Sequence, residues 1–585
     1  MSPLKCEALV NLAHNTLFEK SQMANPDSNP STEIAPLGSF AQNIRFDIIS
    51  GLLVFLIALP LCLGISNASG FPAINGVFTA IAGGIFCAFV SNSPLTIKGP
   101  AAGMIAIVLG ATMGFASIAD VKADNTNPEI YMQYLPSVVG VAFVAGVIQI
   151  LMGLFKAGSL ADLFPSAVIH GLLASIGLII IGKQLYPLLG LKPNSSTEAY
   201  EAYFELPAHV PHFAWQAAVI GLASLLLLFL YPMLKSKFAI CKIIPAQLII
   251  LAIAIPASAS LYSSFDGMKR SYEISHHGEP AKQEVKSLLV KVPATASALP
   301  ASFIYPSFAK IGTYTFWLWV VMFTLVGSLE SLLSAKAVDV LDPWKRKTDL
   351  NRDLLAVGIA NTAVACVGGL PMISEIVRSS ANKDYGARTH WSNFFHGAFL
   401  LISIMLLPFL LNKIPLTALA AMLIYAGCRL AHYKEFLHMW HVGKEQLLIF
   451  ISTIVGVLAT DLLIGVGIGI LVKFITQVFY GVRPLDFLSM PTNVSQQGQS
   501  HTIALLGPAV FTNWLKLKKQ ISSMPSDSNV VVDCAKSSFL DHTVMSRLHD
   551  MQRDFTQQGR ALTLTGLDHH SKMSHSPLAA RKLKF

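Results

Sequence analysis

Charge is scarce in this sequence. Asp, Glu, Lys and Arg supply 13% of its 585 residues, about half the share of an ordinary soluble domain, which argues against a water-soluble fold. Cysteine is sparse as well: seven, at positions 6, 62, 87, 241, 366, 428 and 534, with no CxxC pair and no metal-ligand spacing, so they read as small apolar residues of a membrane core. There is no Walker loop, no nucleophile elbow and no His-Glu-x-x-His pair. ATP-driven transport and hydrolysis therefore lack their parts, and no catalytic residue, cofactor or metal is expected. The first 44 residues lack the basic start and early apolar core of a cleaved signal peptide and read as a cytosolic arm.

Apolar sequence is what the chain has in quantity, at 53%. Runs near 20 residues recur through the middle of the chain, the mark of a polytopic α-helical membrane protein. Fourteen segments are expected, at 48–66, 72–91, 100–114, 135–155, 165–183, 213–232, 240–258, 315–335, 353–367, 372–382, 393–411, 414–430, 445–458 and 459–477. The net charge of +9 is explained by basic cytosolic loops rather than by nucleic acid. With the N-terminus inside, Lys235, Lys237, Lys242, "DPWKRKTDLNRD", Lys383, Arg388, Arg429, Lys434 and Lys444 all fall on the cytosolic side, while "DVKADNTNPE" and "KPNSSTEAYEAYFE" fall outside. An even count also returns the C-terminus to the cytosol. Two segments, after "SPLTIKGPAAGM" and after "GGLPMISEIVRS", are too short to cross the hydrocarbon. Each is third in a set of seven, the pattern of a 7+7 inverted repeat whose broken helices meet at the midplane.

That meeting point is where ligand chemistry is expected. Half-helix N-termini present free N–H groups and positive dipole ends to an anion. Gly99, Gly368 and Gly369 permit close backbone approach, and Pro100 and Pro371 suit helix starts. Ser374, Ser379 and Ser380 offer hydroxyls. Arg378, four residues after Ser374 and so on nearly the same helix face, offers a planar fork for an oxyanion. Two readings of Glu375 and Arg378 stand: a pair that neutralises itself along the helix, or a substrate role for the arginine. Glu330, deep in "TLVGSLESLLSAKAVDVLD" with Ser334 one turn later, can carry a proton, hold a cation or serve as a structural hydrogen-bond partner. Lys98 is a second cation at this depth, either snorkelling or paired with Glu375 or Glu330. His396 has no metal partner at suitable spacing and reads as an ordinary polar residue of a helix.

After Gly481 the sequence turns to strand–helix alternation. "HTIALL", "NVVVDCAKSSFLD" and "RALTLTGL" read as strands, and "FTNWLKLKKQISSM" and "HTVMSRLHDMQRDFTQQG" as helices, giving a small cytosolic α/β domain. The expected domains are 1–44, a membrane domain at 45–480 and the α/β domain at 481–585.

Several of these stretches resemble the SulP (solute-carrier-26-like) anion transporters, which end in a STAS domain. "DIISGLLVFLIALPLCLGIS", "IKGPAAGM", "GSLESLLSAKA", "VRSSANKDYGART" and "VVVDCAKSSFLDHT" resemble, in order, the family's first, third, eighth and tenth helices and its STAS strand and loop. The resemblance implies core and gate subdomains, an elevator-like movement, a homodimer in the cell membrane, and secondary transport of an anion such as sulfate or bicarbonate with proton or sodium as coupling ion. It places the anion site between the starts at Ala101 and Ile376/Val377, with Arg378 on the family's arginine, and puts Glu330 on the acidic position linked to coupling; Lys98, Gly99 and Ser374 are further candidate anion ligands of this chain, and Ser334 and Glu375 further candidate coupling residues. The chain departs from the family pattern at Ala58 and Leu61, where many relatives have Gln, at Lys98, which replaces a small hydroxyl residue, and at Glu375. Its STAS-like tail is also short.

Overall fold

The computed structural model describes residues 39–116, 132–191, 200–237, 244–262, 270–276, 279–285, 287–460, 462–497, 500–525 and 528–584. Most of the expected N-terminal arm, the loop at 120–129, residues 192–199 and Lys242 lie outside the described residues. The apolar runs form helices: α1 (Phe40–Ala68), α2 (Ala73–Val90), α3 (Ile105–Phe115), α4 (Leu135–Leu154) and α5 (Ser166–Leu188), then the short α6 (Glu201–His209). They continue as α7 (Trp215–Lys237), α8 (Ala246–Leu261), α9 (Tyr314–Leu341), α10 (Leu350–Ala365), α11 (Ile376–Asp384), α12 (Trp391–Leu406), α13 (Leu416–Leu430), α14 (Tyr433–Val442), α15 (Lys444–Ala459) and α16 (Leu462–Phe479). The first helix takes in residues 40–44, expected to be part of the arm, because its N-terminus is set by Ser39 and Gln42 in a capping box.

Seven helical stretches among the described residues are long and apolar enough to cross a membrane: α1, α2, α4, α5, α7, α9 and the run Leu416–Val442. Helix α7 shows why such a chain needs hydrocarbon around it. Trp215, Val219, Leu222, Leu226 and Phe229 are all exposed and recur every three or four residues, so they form one apolar stripe that no protein covers.

The chain divides into two compact units. The first comprises residues up to Leu151, Gln184–Pro193 and Ala208–Tyr425. Its centre is a close packing of α1, α2 and α12 through small residues: a Cβ on Gly84 would lie 2.6 Å from the Gly397 Cα, so the two backbones touch with nothing between them. This unit also holds two four-residue strands, β1 (Ile97–Pro100) and β4 (Met372–Glu375), and a hairpin of β2 (Arg270–His276) and β3 (Glu279–Val285).

The second unit comprises Met152–Lys183, Asn194–Pro207 and Ala426–Phe585. Its C-terminal part is the α/β region expected after Gly481. Strands β5 (Thr492–Gln497), β6 (Ser500–Leu505), β7 (Asn529–Asp533) and β9 (Leu562–Thr565) form a sheet in the order β5-β6-β7-β9. The β5–β6 pair is antiparallel and the other two pairs are parallel. Helices α17 (Trp514–Ser522) and α18 (His542–Gln557) cross over between the parallel strands. They bury Trp514, Leu517, Ile521, Val544 and Leu548 against Ile503, Val530 and Val532. The tail beyond residue 566 adds a second sheet: β10 (His570–Lys572) and β11 (Arg581–Leu583) pair with each other, and β11 pairs with β8 (Phe539–Leu540). Within this unit Lys473 of α16 and Asp541, the residue before α18, form a fully buried ion pair at 2.5 Å.

Candidate anion site

The two short segments do become half-helices, α3 and α11, but their prolines do not start them. Strand β1 runs antiparallel to β4 in the register Ile97↔Glu375, Lys98↔Ser374, Gly99↔Ile373 and Pro100↔Met372. Each half-helix begins only after its strand, at Ile105 and Ile376. Pro100 ends β1 and Pro371 precedes β4, positions where a missing N–H leaves no ladder bond unmade. Gly368 takes φ +84°, the left-handed turn that brings the chain out of α10 toward β4.

A two-stranded sheet in an apolar surrounding has two open edges, and unpaired backbone there is costly. Here polar side chains close both. On the β1 side, the Lys98 N–H donates to Asn393 Oδ1 (3.1 Å), and at the end of the ladder the Ile97 N–H, opposite Glu375, donates to Ser379 Oγ (2.8 Å). On the β4 side, the Met372 N–H donates to Asn361 Oδ1 (2.7 Å) and the Ser374 N–H to Ser331 Oγ (3.1 Å). Thr79 accepts from the Leu370 N–H at 2.8 Å and so holds the approach to β4. Five helices thus fix the positions at which the two half-helices start.

Lys98 neither snorkels nor pairs with Glu375 or Glu330. It is fully buried, and its Nζ meets Asp353 Oδ1 at 2.6 Å and Ser374 Oγ at 2.5 Å. Ser91 and Ser374 donate to the same carboxylate at 2.6 and 3.2 Å. Ser374 therefore belongs to the lysine cluster and, lying in a strand, does not share a helix face with Arg378. Ser379 is also committed: it accepts from Ile97 and donates to the Glu375 carbonyl at 2.5 Å. Asp353 is the residue that sequence reasoning missed. It sits at the end of a charged loop motif, where an acid is unremarkable; the one signal is that it stands directly at the head of an apolar run.

Arg378 is in a different position. It is 1% exposed, and among the described residues none of its three guanidinium nitrogens has an oxygen or nitrogen hydrogen-bond partner, although the Cys62 thiol lies within hydrogen-bond reach of the guanidinium. Its guanidinium fills the space over Gly99: a Cβ there would lie 2.1 Å from Nη1. Cys62 of α1 and His396 of α12 are its other polar neighbours. His396 is itself buried with both ring nitrogens unpartnered. Glu375, three residues earlier, is within electrostatic reach, yet its Oε1 makes no hydrogen bond to the arginine or anything else. The self-neutralised helix pair is therefore not formed as a bonded pair. As the N-cap residue of α11, Glu375 does not cap its own helix either; its carboxyl faces the Ala102 backbone N–H at the start of the other half-helix.

Glu330 comes to the same place from α9. A Cβ on Gly103 would lie 2.3 Å from its Oε1, its Oε2 has no partner, and Glu375 is within electrostatic reach. Ser334 is buried one turn further along α9. Ala101 is buried, while Ile376 and Val377 open α11 half-buried. Ala58 and Leu61, the two apolar departures, are buried in α1. The arrangement thus consists of one buried guanidinium without a bonded carboxylate, two half-helix starts and two half-buried carboxyls, beside a lysine–aspartate pair that closes on itself. Buried N–H donors left unpaired are costly, and an oxyanion accepting from the fork and from free helix N–H groups would satisfy them.

The chain is similar to known proteins. The chain is 27% identical to YvdB of Bacillus subtilis (strain 168) over 542 residues, 91% of this chain and 93% of that one. It is 25% identical to the bicarbonate transporter BicA of Picosynechococcus sp. over 431 residues, 74% of this chain and 69% of that one. The solved structure of the murine Slc26a9 anion transporter in its inward-facing state superposes with a TM-score of 0.64 at 15% identity, covering 94% of this chain and 91% of that one. The family model for sulfate permeases matches residues 44–453, a span that contains both strands, both half-helices and every side chain of the arrangement above. This multi-pass membrane protein belongs to the sulfate permease family.

Proposed function

We propose that the protein carries a small inorganic oxyanion, sulfate or bicarbonate, across the cell membrane by secondary active transport, coupled to protons through Glu330. The observation that carries this reading is Arg378, a buried guanidinium whose three nitrogens have no oxygen or nitrogen partner, between two half-helix starts. Gly99, Ala101, Ile376 and Val377 supply the close backbone around the anion. Lys98 and Ser374 serve as framework, because Asp353 already occupies them. Glu330 is the coupling residue because its carboxyl meets the start of α3 with one oxygen unpartnered; Ser334 is on the same helix one turn later.

All of these residues lie in the first compact unit. An elevator-type movement, the mode of alternating access we assign, would carry the whole site at once. The wider assignment is a 7+7 inverted repeat, a homodimer with both termini in the cytosol, and a shortened STAS domain at 481–585. The repeat is supported by the paired strand-and-half-helix units, and the STAS assignment by the strand–helix alternation at the C-terminus.

The test is uptake of labelled sulfate and bicarbonate into proteoliposomes with and without an inward proton gradient. Acceleration by the gradient in wild type, lost in Glu330→Gln, is expected. Gradient-driven uptake unchanged in Glu330→Gln would end the coupling assignment. Acceleration by sodium instead would favour sodium-coupled bicarbonate uptake, and currents linear in voltage without saturation would favour a channel on the same scaffold.

A further inference from the structure

Glu375 is the residue that the proposed mechanism leaves without a task. It ends β4 and precedes α11, opposite Ile97 in the strand register. An acid at a helix N-cap ordinarily turns back to its own free N–H groups; this one makes no such bond. Its carboxyl instead faces the Ala102 N–H, at the start of the half-helix that the other strand leads into. That is one of the N–H groups a substrate oxyanion would take. One carboxylate oxygen is unpartnered, the residue is only half-buried, and the nearest cation, Arg378, has no oxygen or nitrogen partner at its three guanidinium nitrogens.

The charges close to it can be counted. Lys98 and Asp353 cancel across the strand pair. Arg378 contributes one positive charge from α11. Glu330 faces Glu375 from α9, while Cys62 of α1 and His396 of α12 both face Arg378, Cys62 also facing Glu375. With Glu330 protonated, an ionised Glu375 balances Arg378 and the region is neutral. An entering anion then adds a negative charge that nothing offsets.

We infer that Glu375 is a tethered anion: its carboxylate holds the Ala102 N–H and balances Arg378 when no substrate is present, and the substrate anion must displace it. The displacement balances when one proton from water adds to a carboxylate oxygen of Glu375. The neutral acid then leaves the N–H, an oxygen of the substrate accepts from it instead, and the net charge of the site is unchanged for a monovalent anion such as bicarbonate or nitrate and falls by one for sulfate. Release of the anion reverses each step and returns the proton. The inference rests on the proposed anion site and adds an internal competitor to it.

The test compares wild type, Glu375→Gln and Arg378→Gln as purified full-length protein in nanodiscs. Affinity is measured by titration calorimetry with sulfate and with nitrate, as N-methylglucamine salts, at about pH 5.5 and about pH 8, a range over which neither probe changes charge. Removing the competitor should tighten binding in Glu375→Gln about tenfold at the higher pH, the worth of one charge-assisted hydrogen bond. The difference between the two proteins should shrink at the lower pH, where the proton that the displacement takes up is more available. No tightening, or equal tightening at both pH values, overturns the inference. Arg378→Gln reports on the site itself: if it loses binding while Glu375→Gln is unshifted, the competitor is wrong and the site stands. If Arg378→Gln keeps binding, the site is wrong, and the Glu375→Gln shift still decides the competitor. Absence of binding of either probe to wild type and Glu375→Gln at both pH values overturns both. Should Glu375→Gln fail to fold, Glu375→Ala removes both the charge and the reach to Ala102, and the same tightening at the higher pH is expected.

Discussion

Replacing Asp353 by Asn tests whether Lys98 is framework or substrate ligand. The two charges lie 2.6 Å apart with side chains 1% and 0% exposed. At an effective dielectric near 20 their attraction is about 6 kcal/mol, most of which offsets the cost of taking both out of water. Asn keeps the shape and one acceptor oxygen, which at the Oδ1 position still accepts from the Ser91 hydroxyl and the Lys98 ammonium but leaves the Ser374 hydroxyl without its Oδ2 acceptor, so the change removes the charge and one weak hydrogen bond. It leaves the Lys98 ammonium buried without a counter-charge, a loss of about 3–5 kcal/mol. Lys98→Met should cost a similar amount by stranding Asp353. The double variant, with neither charge, should recover most of the loss, giving a coupling of about 2 kcal/mol or more. The assay is thermal and denaturant unfolding of the four proteins in one detergent, followed by size-exclusion of a fluorescent fusion. Singles that each cost less than about 1 kcal/mol, the range of solvent-exposed pairs, would refute the reasoning, as would strictly additive effects. Anion binding supplies an independent readout: the double variant should retain it, whereas a substrate-contacting lysine would take it away.

Three further outcomes are expected. Gly99→Ala places a methyl 2.1 Å from Arg378 Nη1, so the guanidinium must move and anion affinity should fall about tenfold, with little change in expression; unaltered affinity in calorimetry would show that Arg378 is not held over Gly99. Lys473→Met strands the buried Asp541, whose Oδ2 already lacks a partner, and should open the start of α18 by about 3–5 kcal/mol, seen as faster amide exchange over residues 541–557. Maleimide at about pH 8 should label Cys366, which is exposed, in protein whose Cys6 and Cys241 have been changed to Ser. Cys534 should stay unlabelled, because burial pushes its thiol up to about 12 and leaves a thiolate fraction of about 10⁻⁴.

The helices were legible because length and apolarity are properties of a contiguous run, which a sequence displays directly. The half-helices were legible by the same measure, as runs too short to cross. The strands before them were not. "IKGP" and "MISE" are four residues each, one ends in proline, and their partners are each other, so no local periodicity announces them. Asp353 was hidden for a related reason: whether an acid at the edge of a charged loop faces water or a buried lysine depends on where β1 lies, and that is a tertiary fact. Arg378 and Glu330 stood out because charge inside an apolar run is rare enough to be noticed alone. In the C-terminal region β6, β7 and β9 carry apolar residues that face the core, whereas β5, "TNVSQQ", is polar along most of its length and gave no strand signal. The last two strands are three residues each and follow from pairing with β8 rather than from composition.

The pairing of β1 with β4 also sets an order of assembly. Lys98 and Ser374, which face each other across the ladder, are 276 residues apart in the chain. The first strand and its half-helix are synthesised long before the second exists, and until then their backbone groups have no ladder partner. Closing so long a loop is entropically slow, and open backbone cannot wait in hydrocarbon. During synthesis the segment around Ile97–Pro100 must therefore be kept wet or sheltered by the insertion machinery, and it can reach its final depth only once residue 375 has emerged. Truncation before that point should leave the first half unable to seat its third segment, so that the carrier matures as one late, concerted step rather than helix by helix.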